Sequence, residues 1–115
     1  MPAAAVAGVM TPAVALFRSL GDETRLRIVA RLAGGEARVV DLTGELGLAQ
    51  STVSKHLACL RDCGLVTSRP QGRASMFSVT HPEATIALLA AAEQLLDLTG
   101  FAVVLCPTHG ASSHD

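Results

Sequence analysis

Apolar positions recur at helical spacing along most of this chain, and the breaks between runs fall at glycine and proline. The first run starts at Thr11, with Pro12 in a first helical position that needs no backbone donor, and carries Val14, Leu16, Phe17 and Leu20 up to Gly21. Asp22 is placed to cap a second helix, ETRLRIVARLA, whose apolar face uses Leu26, Ile28, Val29 and Leu32 and which stops at Gly34-Gly35. A short third helix, about Val39 to Leu46, ends at Gly47, and a fourth, about Gln50 to Cys63, ends at Gly64. Ala49 at the start of that fourth helix offers no side-chain oxygen to its first N–H groups, which costs roughly 0.5–2 kcal/mol relative to Ser or Asp.

Two helices joined by so tight a Gly-containing turn form a helix-turn-helix signature. The next stretch, LVTSRPQGRASMFSVT, changes character: Val66, Thr67, Met76, Phe77 and Val79 favour strands, and Pro70-Gln71-Gly72 supplies a turn. It predicts a hairpin with Arg69 and Arg73 flanking its tip. His81-Pro82 then opens a long helix, EATIALLAAAEQLLDL, closed by Gly100. Its Leu and Ala content exceeds what a solvent-facing helix needs, which predicts a dimer interface. The fold class expected is therefore mainly α with a β-hairpin wing, a winged helix-turn-helix, homodimeric. The expected layout is a flexible N-terminal arm over residues 1–10, the winged domain with its dimerisation helices over 11–100, and a C-terminal tail over 101–115.

At 115 residues the chain has room for one modest core. Half its residues are apolar, too many for a disordered chain, yet it contains three Phe and neither Trp nor Tyr. The net charge of −1 argues against nucleic acid until its distribution is read. All nine Lys and Arg fall within residues 1–80, against six acids, a local net of +3; residues 81–115 hold the other four acids and no Lys or Arg. The cations coincide with the helix-turn-helix, and the local field steers association more than the total charge does. The apolar run 101–106 is far too short to span a bilayer, and MPAAAVAGVM lacks the basic region of a secretory signal. With three Cys, an odd number, this favours a cytoplasmic chain with free thiols.

Val53, Leu57 and Leu60 mark the core face of the fourth helix. Its other face carries Gln50, Ser51, Thr52, Ser54, Lys55 and His56, which can reach base edges or phosphates of double-stranded operator DNA. Arg69, Gln71 and Arg73 in the wing are candidate phosphate or minor-groove contacts, and Arg61 could contact a phosphate or pair with a neighbouring acid. At the end of the same helix, in STVSKHLACLRDCGLV, stand Cys59 and Cys63. Residues four apart share a helix face, so both thiols point the same way within reach of one ion.

This element order and these residues resemble the ArsR/SmtB family of bacterial metal-responsive repressors. LGDETRLRIVARL (20–32) looks like that family's second helix, LAQSTVSKHLACLRDCGLV (48–66) like its recognition helix, and the QGR hairpin like its wing, so the resemblance covers residues 12–99. The arsenite-type Cys-x-Cys site has no counterpart in ARVVDL, and of the zinc-type site on the last helix only Glu93 and Asp97 are present, with His81 at the start. HLACLRDCGL instead resembles the actinobacterial cadmium–lead sensor subgroup, in which the two recognition-helix cysteines combine with a C-terminal cysteine from the other subunit. The matching residues are Cys59, Cys63 and Cys106.

Three thiolates favour thiophilic ions such as Cd(II), Pb(II), Hg(II) or As(III). Zn(II) prefers four ligands in tetrahedral geometry, for which His109 or His114 would be the fourth donor. The function expected is a repressor released from its operator when Cd(II) or Pb(II) binds. Three rivals stand beside it: a thiol redox switch joining Cys106 to Cys59 or Cys63, an arsenite-responsive repressor, and a DNA-binding protein whose cysteines only pack. A thiol enzyme has thin support, since His56 lies three residues from Cys59 without a third partner.

Overall fold

A computed structural model of the chain describes residues 3–106, and side chains from Met10 onward. Helix α1 (Ala3–Leu20) leads through Gly21-Asp22 into α2 (Glu23–Ala33). A two-residue strand β1 (Ala37–Arg38) runs directly into α3 (Val39–Leu46), and α4 (Gln50–Asp62) follows after a three-residue turn. The hairpin β2 (Val66–Gln71) and β3 (Ala74–Val79) precedes the long α5 (Pro82–Leu98). This is a winged helix-turn-helix, as the pattern of apolar runs and breaks predicts.

The expected start of the first helix at Thr11-Pro12 is corrected: α1 begins at Ala3, and Pro12 lies inside it. Proline removes one ladder donor and crowds the preceding turn, but the Ala-rich residues before it continue the helix, so residues 3–10 extend α1. The wing turn also shifts. Pro70 and Gln71 belong to β2, pairing with Ser75 and Ala74, and the loop is Gly72-Arg73 alone. Gly72 has φ of 62°, and a two-residue hairpin turn with glycine first is the arrangement whose twist suits the flanking strands. Pro70 is tolerated because β2 is an edge strand: the sheet order is β1-β3-β2, with Ala37 opposite Phe77 and Val66 opposite Val79.

One core lies beneath the helix-turn-helix and the hairpin. Ile28, Val29 and Leu32 from α2, Leu42 from α3, Val53, Leu57 and Leu60 from α4, and Ala37, Val66, Phe77 and Val79 from the sheet are buried together. The core faces expected for α2 and α4 are met, except that Leu26 is only half-buried and Ala33 joins instead. Asp22 caps α2 as expected, accepting the Arg25 backbone N–H at 3.0 Å. At the end of α4, Leu65 N–H donates to the Leu60 carbonyl (3.0 Å) and Gly64 N–H to that of Arg61 (3.0 Å). These two bonds, with Gly64 at φ of 81°, satisfy the last carbonyls and fix Cys63 at the helix terminus. The same closure ends α5, through Phe101 and Gly100.

No helix among the described residues is long and apolar enough to cross a membrane. Exposed apolar side chains gather on two elements instead. Met10, Val14 and Phe17 form a stripe along α1, and Leu95, Leu98, Phe101, Val103 and Val104 line the end of α5 and the segment after it.

Candidate functional site

The helix-turn-helix is set by two terminal residues. Gly47, with φ of 68°, stops α3 and donates to the Thr43 carbonyl at 2.9 Å. Ala49 then starts α4 without a side-chain cap, as expected. With Val53, Leu57 and Leu60 facing inward, the residues between them face out: Gln50, Ser51, Ser54 and Lys55 are exposed, and Thr52 and His56 half-buried. Arg61 is exposed at the other end of the helix.

The two wing cations sit in different surroundings. Arg73 stands exposed in the hairpin turn. Arg69 is engaged: its Nη2 meets Glu36 Oε1 at 2.6 Å, its Nε meets Oε2 at 3.3 Å, and its Nη1 donates to Gln71 Oε1 at 2.6 Å. Two of the three candidate wing contacts therefore bond to each other. At the root of the wing, the Arg38 guanidinium and backbone N–H hold the Asp41 carboxyl below the usual carboxylate range. Asp22 is lowered too, chiefly by the Arg25 backbone N–H and further by the charges of His56 and Arg25.

The thiols lie one helical turn apart, and the Cys63 N–H donates to the Cys59 carbonyl at 3.1 Å. Each sulfur has a distant partner. Cys63 Sγ is 3.2 Å from the Oγ of Ser19, a buried residue near the end of α1, and Arg25 Nη1 donates to Cys59 Sγ at 3.7 Å. The same guanidinium donates through Nε to the Ser19 carbonyl at 2.8 Å. Cys59 is half-buried and Cys63 exposed, beside an open groove of about 220 Å³ lined by Pro12, Ala15, Leu16 and Leu65.

Cys106 is placed differently. It is buried, and its backbone N–H and that of Leu105 both donate to Glu93 Oε2 on α5. Among the described residues no three His, Cys, Asp or Glu side chains gather closely enough to hold a metal ion. Within one protomer the structure thus brings Cys59 and Cys63 together and leaves Cys106 apart from them. His109 and His114 lie outside the described residues.

The reading from sequence missed Ser19, Arg25 and Glu36, and the contact that Glu93 makes. The first two are 44 and 34 residues from the sulfurs they meet, so no local spacing signals them. The acid on α5 was noted as half of a zinc-type pair; its bonds to the segment after α5 could not be foreseen.

Comparison with known proteins agrees with this geometry. Residues 22–68 match the model of the bacterial regulatory protein, arsR family. The transcriptional regulator CmtR of Mycobacterium tuberculosis is 48% identical over 58 residues, covering 50% of this chain and 49% of that protein. The chain spans about half the length of the first curated relatives it matches. The structure of HlyU from Vibrio cholerae superposes with a TM-score of 0.67 at 32% identity, over 75% of this chain and 92% of that one. A homodimeric winged helix-turn-helix DNA-binding domain from Mycobacterium bovis gives a TM-score of 0.71 at 26% identity, covering 79% and 83%. The matched segment runs from the cap of α2 through the thiol pair into the wing, in a family of regulators rather than enzymes, and the chain belongs to the arsR family of bacterial regulatory proteins.

Proposed function

We propose that this protein is a transcriptional repressor that binds operator DNA as a homodimer and lets go when a thiophilic ion, Cd(II) or Pb(II), binds its cysteines. The observation that carries the reading is the thiol pair at the end of α4, the helix whose exposed face also carries the candidate DNA contacts. Gln50, Ser51, Ser54 and Lys55 face the major groove in this reading, with Thr52 and His56 at its edge, while Arg69, Gln71 and Arg73 contact the backbone or minor groove. The apolar stripes on α1 and α5 supply the dimer interface.

Cys59 and Cys63 supply two soft donors. Since Cys106 is not gathered with them in one protomer, the third donor in this reading is Cys106 of a second subunit. Such an ion supplies bonds that a thiol proton cannot, joining the reading head of one protomer to the C-terminal segment of the other. A dimer must present two recognition helices about one DNA turn apart, so fixing them at another spacing weakens binding, and DNA weakens metal binding by the same factor.

The test is an anaerobic ultraviolet titration of the reduced protein with Cd(II), then Pb(II), followed by DNA binding with and without metal. Because the chain has no Trp or Tyr, thiolate-to-metal bands stand out against a low background. Saturation at one ion per protomer, loss of the bands in Cys59→Ser, and weaker DNA binding with metal are expected. Unchanged metal-induced release in Cys106→Ser would refute the role of the C-terminal cysteine. Absent bands at stoichiometric metal would leave a thiol redox switch or a regulator without a ligand, which peroxide treatment then separates.

A further inference from the structure

We infer that Arg25 and Ser19 are positioning residues for the thiol pair, orienting both sulfurs from outside and tying their occupancy to the junction of α1 and α2. The inference rests on the metal-binding reading above and extends it to residues that carry no donor sulfur. Three contacts converge here: Ser19 Oγ to Cys63 Sγ at 3.2 Å, Arg25 Nη1 to Cys59 Sγ at 3.7 Å, and Arg25 Nε to the Ser19 carbonyl at 2.8 Å.

Arg25 is fixed from both sides. Its backbone N–H is held by the Asp22 carboxylate at 3.0 Å, and its Nε satisfies a carbonyl of the last turn of α1 that has no partner further along the helix. The guanidinium therefore reaches Cys59 from a short, braced stem at the start of α2. Ser19 is 7% exposed, and its hydroxyl points at Cys63 rather than at solvent.

This arrangement suits ligation in two ways. Each thiol that binds a metal gives its proton to solvent and its lone pair to the ion, so a divalent ion on three thiolates carries a net charge of −1. The Arg25 cation lies against one of those sulfurs and offsets that charge, and both Arg25 Nη1 and the Ser19 hydroxyl can donate to a sulfur that has lost its proton. Donors of this kind around a metal site set ligand orientation, and removing one typically costs 10- to 100-fold in metal affinity. The same atoms hold α1, whose other side carries the exposed apolar stripe, so a sulfur displaced by ligation pulls on the end of that helix.

The experiment is the anaerobic Cd(II) titration of the full chain, as wild type, Arg25→Gln, Arg25→Lys and Ser19→Ala, with thermal unfolding of each metal-free protein alongside. Arg25→Gln is expected to weaken Cd(II) binding by about 10- to 100-fold while one ion per protomer still binds. Arg25→Lys, which keeps the charge and loses the fork, recovers part of that loss, and Ser19→Ala gives a smaller weakening with a shifted band. A merely structural role predicts lower unfolding temperatures with unchanged affinity and band position, and that result overturns the inference while the metal reading stands. If wild type shows no thiolate-to-cadmium band, the metal reading fails and this role goes with it.

Discussion

Single residues set both the stability and the chemistry of this helix-turn-helix. Asp22 and Asp41 each accept a backbone N–H at a helix start, and both carboxyls are lowered from their ordinary values. A group lowered on folding stabilises the native state above its unfolded pKa, about 3.9 for Asp, and that contribution is lost as pH falls through the lower folded value. Stability is therefore expected to lose the contribution of these two groups below about pH 4. Combined Asp22→Asn and Asp41→Asn, which keep an oxygen at each position, should flatten that acid limb in unfolding followed by circular dichroism. An acid limb of unchanged steepness in the double variant would refute the assignment. The inward face of α4 was legible at this scale, because Val53, Leu57 and Leu60 recur at helical spacing and are buried. The partners of the sulfurs were not, because Ser19 and Arg25 meet them only through tertiary packing.

At the scale of elements, glycines and caps placed most boundaries. Val39–Leu46 and the Gly47 stop coincide with expectation because a left-handed residue leaves few alternatives at a helix end. Two elements were illegible for physical reasons. β1 has two residues and exists only because Ala37 and Arg38 pair with Phe77 and Met76, some 40 positions away. The start of α1 was hidden by Pro12, whose local rule favours a first turn although the helix passes through it. The uncapped start of α4 gives a direct test: Ala49→Ser is expected to raise stability by roughly 0.5–2 kcal/mol, read from urea unfolding, and no gain would mean that water already satisfies those N–H groups. In the wing, Arg73→Ala is expected to weaken DNA binding alike across sequences and to lower the salt slope by about one. A change of sequence preference instead would assign Arg73 to base reading.

For the whole molecule, the charge asymmetry and the surplus of leucine in α5 indicated a basic reading unit and an apolar remainder. The structure leaves Leu95 and Leu98 at 63% and 77% exposure, with Phe101 at 72% beyond the closure of α5. If these residues meet a second subunit, Leu98→Asp is expected to convert a dimer to a monomer in sedimentation velocity and to reduce DNA affinity sharply. A dimer of unchanged strength would move the interface elsewhere, α1 being the next surface to test. The candidate metal site was half legible: spacing on one helix revealed the thiol pair, whereas the place of Cys106 depends on how the segment after α5 folds back to Glu93.

The central position of β3 has a mechanical consequence. Strand β1 runs without a break into α3, and β3 joins that strand to the outer arm of the wing. Wing and α3 are therefore joined in one block through β1, and α4 packs against both α3 and β2. Under the proposed function, each protomer is then expected to cover a stretch of DNA of constant width, whatever occupies its cysteines. In a footprinting experiment, release would then be seen as two protected patches losing their phase along the double helix together, rather than as either patch fraying at its edge.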